Sequence, residues 1–117
     1  MTSEVRIQVT EEPGQVPLVT VTGPLDQFSG PSLYRQAARV LERHASLIVN
    51  LAGVTACDSS GLNTLLRLCR RAGEARGRLV LVPPPALLDR LTPLTLRESA
   101  LVVYGSVEEA RTTDLAA

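Results

Sequence analysis

The apolar residues of this chain repeat at two spacings, and the alternation between them outlines the fold. Val5, Ile7 and Val9 alternate with Arg6, Gln8 and Thr10, the period-two pattern of a strand with one face on a core. Glu11 to Pro17 supplies a turn, and Leu18-Val19-Thr20-Val21-Thr22 reads as a second strand ended by Gly23-Pro24, so an antiparallel hairpin is expected. A loop from Leu25 to Gly30 follows. Pro31 suits the first helical position behind a Ser29 or Gly30 cap, and Leu33, Ala37, Val40, Leu41 and His44 share one helical face as far as His44-Ala45. Leu47-Ile48-Val49-Asn50-Leu51 then reads as a buried strand, and Leu62, Leu65, Leu66 and Cys69 as the inner stripe of a second helix. Gly73 and Gly77 loosen the chain before Leu79-Val80-Leu81-Val82, a buried strand ended by Pro83-Pro84-Pro85. Leu87, Leu88 and Leu91 mark a short third helix, and Leu101-Val102-Val103-Tyr104 a last strand. Ser106 with Glu109 forms a capping box for a closing helix. A hairpin followed by alternating helices and strands predicts an α/β domain with a mixed sheet and right-handed crossovers.

Composition narrows what such a domain can do. At 117 residues the chain makes one domain that buries roughly two-thirds of its unfolded surface. Its 44% hydrophobic content is mostly Leu, Val and Ala, and only 3% is aromatic, which suits aliphatic core layers better than a base-stacking surface. Basic and acidic residues balance at 12 each, leaving no net field to gather nucleic acid or an anionic membrane. All 12 basic residues are arginines, which excludes lysine Schiff bases and the P-loop lysine. Apolar runs are only strand-length and no signal region follows Met1, so a soluble, cytoplasmic protein is expected. Cys57 and Cys69 are too far apart for a redox motif or zinc half-site, and read as buried free thiols.

The informative segment is Ala56-Cys57-Asp58-Ser59-Ser60-Gly61-Leu62, where an apolar strand gives way to an amphipathic helix. A helix start collects unpaired N–H groups and the positive end of the macrodipole, so a hydroxyl there is well placed to carry a phosphate. Capping by Asp58 or Ser59, worth roughly 1 kcal/mol, explains one polar residue at this point but not a second serine. Nor does it explain a glycine in the first turn, where helix propensity is poor. Gly61 reads instead as an opening through which another protein's backbone could approach the serines. A hydrolase built on Ser59 with Asp58 and His44 fits poorly. Cys57 stands where the nucleophile elbow needs glycine, and the single histidine belongs to another helix end. Arg67, Arg70 and Arg71 lie on the polar side of the second helix, with Glu74 spaced to pair with Arg70 and Arg71; a solvated face is the ordinary reading, and docking by Arg67 or Arg70 the other.

Asp58-Ser59-Ser60-Gly61-Leu62 after an apolar strand, with Gly23-Pro24-Leu25-Asp26 after an earlier one, resembles the STAS domain of bacterial anti-sigma factor antagonists. The likeness spans nearly the whole chain, through Ser106-Val107-Glu108-Glu109-Ala110. It implies a single STAS-type domain over residues 1–111, with helices packed mainly on one face of the sheet and a frayed tail at 112–117. It also implies a binding module and substrate, not an enzyme, with no cofactor and no metal. In that family the serine after the aspartate, here Ser59, is phosphorylated by an anti-sigma factor that is also an ATP-binding, histidine-kinase-like serine kinase. Unphosphorylated antagonist holds this kinase and frees a sigma factor for transcription; phosphorylation ends the binding, and a PP2C-type phosphatase restores it. Asp26, Asp58, Ser60, Gly61, Leu62 and Asn63 are the partner-binding residues carried over, with Asp26 equally readable as a turn residue. Two positions depart from the pattern, Pro24 where an acidic residue is frequent and Asn63 where a small residue is usual, and both bear on partner choice. The alternative from another class is an unphosphorylated STAS adaptor in a lipid-transport or stress-signalling assembly.

Overall fold

The computed structural model describes residues 4–113. Five strands, β1 (Arg6–Thr10), β2 (Leu18–Leu25), β3 (Leu47–Cys57), β4 (Leu79–Val82) and β5 (Leu101–Val103), lie side by side in chain order. The β1–β2 pair is antiparallel and the remaining pairs are parallel, giving the expected mixed sheet with its N-terminal hairpin. Four helices, α1 (Gly30–Arg43), α2 (Ser59–Glu74), α3 (Pro85–Thr95) and α4 (Val107–Thr113), follow β2, β3, β4 and β5. None of the described helices is long and apolar enough to cross a membrane.

The alternation of strand side chains divides the interior in two. Val19, Val21, Leu47, Val49, Leu79 and Leu81 meet Leu33, Ala37, Leu65, Leu68, Leu87 and Leu91 from α1, α2 and α3. Ile48, Val80 and Val82 point to the other face, where Ala110 and Val107 of α4 make a smaller cover. Three helices thus share the main core, and the shortest helix covers the second face.

Several boundaries differ from the sequence reading. Strand β2 continues through Gly23-Pro24 to Leu25, and β3 runs on to Cys57, because each extends the other's ladder as far as the Leu25–Cys57 pair. Pairing with β1 stops at Thr22, so the missing N–H of Pro24 interrupts no ladder on that side. Gly23 adopts φ +97°, and a Cβ there would lie 2.8 Å from the Glu4 carbonyl, so a side chain is excluded by both conformation and space. Val9, expected on the core face, is exposed on the edge strand β1, whereas its partner Val19 on β2 is buried in the main core. Leu88 is likewise exposed, while Leu87 and Leu91 carry the inner face of α3. Gly73 remains inside α2, which ends one residue later. At α4 the Glu109 N–H donates to Ser106 Oγ (3.0 Å), but the Glu109 carboxylate accepts from Gly105, not Ser106, so only half of the capping box forms as expected. Helix α4 includes Thr112 and Thr113, two residues assigned to the tail, and Thr112 Oγ1 donates to the Glu108 carbonyl (2.9 Å). The rest of that tail, 114–117, lies outside the described residues.

Candidate phosphoacceptor site

The shared end of β2 and β3 brings two loops together. The Asp58 N–H donates to the Leu25 carbonyl (3.3 Å), joining the turn into α2 to the loop that enters α1. Asp58 takes the extended conformation of a cap residue, and its Oδ1 accepts from the Gly61 N–H (2.9 Å). Its carbonyl accepts from the Leu62 N–H (3.0 Å), so both ends of Asp58 hold the first turn of α2. Ser59 opens that turn. It is exposed, and its hydroxyl has no hydrogen-bond partner among the described residues. As the first helical residues, Ser59 and Ser60 also carry N–H groups without an intrahelical acceptor. The arrangement can therefore accept a phosphate on Ser59 beside the positive end of a sixteen-residue helix.

The residues around Ser59 divide into surface and support. Ser60 is half-buried and Asn63 exposed, and both line an open groove of about 420 Å³ with Asp26, Gln27, Pro31, Tyr34, Arg35, Thr64 and Arg67. Leu62 is half-buried against the main core. Gly61 is different from its expected role: it is buried, and a Cβ on it would lie 2.5 Å from the Leu25 carbonyl and 2.9 Å from Cys57 Sγ. Its bare Cα lets α2 seat against the end of β2 and does not face a visiting backbone. Cys57 beneath it is half-buried, and burial raises its thiol above the usual range. Cys69 is fully enclosed and pushed up to about 11, chiefly by burial, so neither thiol is activated.

Asp26 builds the neighbouring loop. Its Oδ1 accepts from the N–H groups of Phe28 (2.9 Å) and Ser29 (3.0 Å), and its carbonyl accepts from Gly30 N–H (2.8 Å). Ser29 does not cap α1 with its side chain; its buried hydroxyl donates to the Pro24 carbonyl (2.8 Å) and accepts from the Asp26 N–H (3.0 Å). The Ser29 and Phe28 N–H groups hold the Asp26 carboxyl below its ordinary value. A lowered folded value means stability present above the unfolded carboxylate pKa near 3.8 and lost as pH falls through the folded one. The stability difference between wild type and Asp26→Asn, measured by urea unfolding from pH 7 downwards, is expected to be largest at pH 7 and to shrink below pH 3.8.

Other candidates are drawn elsewhere. His44 and Ser59 stand at opposite ends of β3, an eleven-residue strand roughly 33 Å long, so the hydrolase grouping is not assembled. His44 instead contacts Glu11 (3.1 Å), whose carboxyl is held low first by the hydrogen bond from Arg43. Arg70 reaches Glu98 (3.6 Å) and not Glu74, while the Arg67 guanidinium lies 4.1 Å above the Tyr34 ring, tying α2 to α1. The described residues contain no group of three or more His, Cys, Asp or Glu that could hold a metal.

Two residues near the site were not singled out by sequence. Arg90 of α3 donates to the Cys57 carbonyl, just before the turn; nothing in its local pattern marks a contact 33 positions away. Phe28 is 82% exposed in the Asp26 loop, and an aromatic among turn-forming residues was the available signal.

The STAS-domain family matches residues 7–110. This chain belongs to the STAS family. Among solved structures, an anti-sigma factor antagonist from Mycobacterium paratuberculosis superposes with a TM-score of 0.78 at 23% identity, covering 96% of this chain and 97% of that one. An anti-sigma-factor antagonist (STAS) domain protein from Planctomyces limnophilus gives 0.75 at 20% identity, with 95% and 98% covered. The Bacillus cell fate determinant SpoIIAA, in its phosphorylated form, gives 0.71 at 17% identity, with 92% and 97% covered. A search of curated proteins by sequence returned no match. At these identities the structural likeness establishes the fold, a STAS domain similar to anti-sigma factor antagonists over nearly its full length.

Proposed function

We propose that this STAS domain is an anti-sigma factor antagonist switched by phosphorylation of Ser59. Unphosphorylated, it holds an anti-sigma factor that is also an ATP-dependent serine kinase, which releases a sigma factor for transcription in the bacterial cytoplasm. Phosphorylated, it lets the kinase go until a PP2C-type phosphatase removes the group. In this reading the protein is a substrate and binding module and catalyses nothing itself. The observation that carries the proposal is the exposed Ser59 hydroxyl at the start of α2, without a partner among the described residues and with the capping duty already taken by Asp58. That SpoIIAA is solved in both unphosphorylated and phosphorylated forms supports it. Asp26, Asp58, Ser60, Leu62 and Asn63 then shape or support the surface the kinase meets, and Gly61 acts from beneath it.

Incubation with ATP and the anti-sigma kinases of the same organism is expected to place one phosphate on Ser59, read by mass spectrometry and absent in Ser59→Ala. A kinase that binds the protein yet leaves Ser59 unlabelled would favour the unphosphorylated adaptor.

A further inference from the structure

Phe28 stands apart from the other exposed apolar residues because its backbone is fixed. Its N–H is bonded to the Asp26 carboxylate, and the loop is further held by Ser29 N–H to Asp26 Oδ1, Ser29 Oγ to the Pro24 carbonyl and Gly30 N–H to the Asp26 carbonyl. Single exposed apolar side chains are ordinary on a protein surface. The backbone beneath this 82% exposed ring is held by these hydrogen bonds, so burial by a partner has only the two side-chain torsions left to order. Gln27, beside it, lines the same groove as Ser60 and Asn63, so the loop that carries Phe28 borders the first turn of α2, which Ser59 opens. Arg35, exposed, and Arg67, stacked on Tyr34, line that groove against a single acidic residue, Asp26.

We infer that Phe28 is an aromatic anchor for the anti-sigma factor kinase: its ring enters an apolar pocket on the kinase, flanked by acidic groups that meet Arg35 and Arg67, while Ser59 faces the transferred phosphoryl group. This rests on the phosphorylation reading and adds the contact that selects the partner. Aromatic anchors of this kind dominate binding, and loss of the ring removes contacts made equally before and during phosphoryl transfer.

The test titrates wild type and Phe28→Ala against the anti-sigma kinase that labels wild-type Ser59, in the presence of ADP so that no phosphate moves. The expected result is a Kd raised about thirtyfold or more, since hot-spot truncations reach that size. In labelling with ATP, KM rises by a similar factor and kcat stays within about twofold. Phe28→Tyr recovers most of the affinity, and all variants keep the wild-type melting temperature because the ring touches little of its own chain. Arg35→Glu slows association at low salt, and the effect fades at high salt. Wild-type affinity in Phe28→Ala, with wild-type Ser59 labelled normally, overturns the anchor and leaves the phosphorylation reading standing. Self-association of wild type that Phe28→Ala abolishes, with kinase affinity unchanged, overturns it in favour of a second copy as occupant. Failure of every anti-sigma kinase to label or bind wild type overturns the phosphorylation reading, and the anchor with it.

Discussion

Phosphate on Ser59 is expected to weaken binding to the kinase at least a hundredfold, while Ser59→Ala binds it equally with ADP and with ATP. The group adds roughly −1.5 to −2 charges beside Asp58. In the free protein this is tolerable, because Ser59 is exposed and the α2 terminus offsets about 0.3–1 kcal/mol, up to about 2 where partly buried. In the complex the same group must leave water against a surface fitted to a neutral hydroxyl, and an uncompensated buried charge costs roughly 3–5 kcal/mol. At about 1.4 kcal/mol per decade that exceeds two decades in Kd. No refolding is needed, so circular dichroism and melting temperature should change little on phosphorylation. Calorimetric titration of phosphorylated and unphosphorylated protein decides the matter, and equal affinities would remove the electrostatic account. Ser59→Asp should bind poorly too, but it carries less charge than phosphate, so the phosphorylated protein is the stronger measurement.

How far the sequence could be read depended on whether the deciding partner lay nearby. Period-two and helical spacings, short apolar runs and the Ser106–Glu109 signal found every strand and helix, because burial is written into nearby residues, on both faces in Leu79-Val80-Leu81-Val82 and on one in Leu33, Ala37 and Leu41. Asp58 as a cap is local as well: its acceptor and the Gly61 N–H are three residues apart. The extra length of β2 and β3 was hidden because Pro24 looks like a strand terminator until β1 is known to stop at Thr22. Arg70 matched Glu74 by spacing, yet Glu98 comes close only when the loop between α3 and β5 lies beside α2. Val9 and Phe28 are exposed for different reasons, one on the edge strand β1 beside the buried Val19 and the other on a loop whose backbone is held by Asp26 and Ser29.

Gly61 is the sharpest case, and Gly61→Ala separates its two roles. An opening for a partner's backbone would leave the free protein's stability unchanged or raised on substitution and lower its affinity for the kinase. The structure instead puts the new methyl 2.5 Å from the Leu25 carbonyl, a backbone atom that cannot rotate away, and 3.0 Å from Leu25 Cγ. Relief requires α2 to slide from the β2 end, loosening the Asp58–Gly61 cap and the Asp58–Leu25 link together. Overpacking of this kind costs roughly 1–3 kcal/mol, which exceeds the gain of about 1 kcal/mol in helix propensity that alanine brings over glycine. The net expectation is a fall in Tm of several degrees, at roughly 4 °C per kcal/mol for a domain of this size, seen in the protein alone by thermal unfolding. Because Ser59 rides on the same turn, labelling should slow in step with the loss of stability. A Tm equal to or above wild type, with weakened kinase binding, would return Gly61 to the surface role that its sequence position suggests.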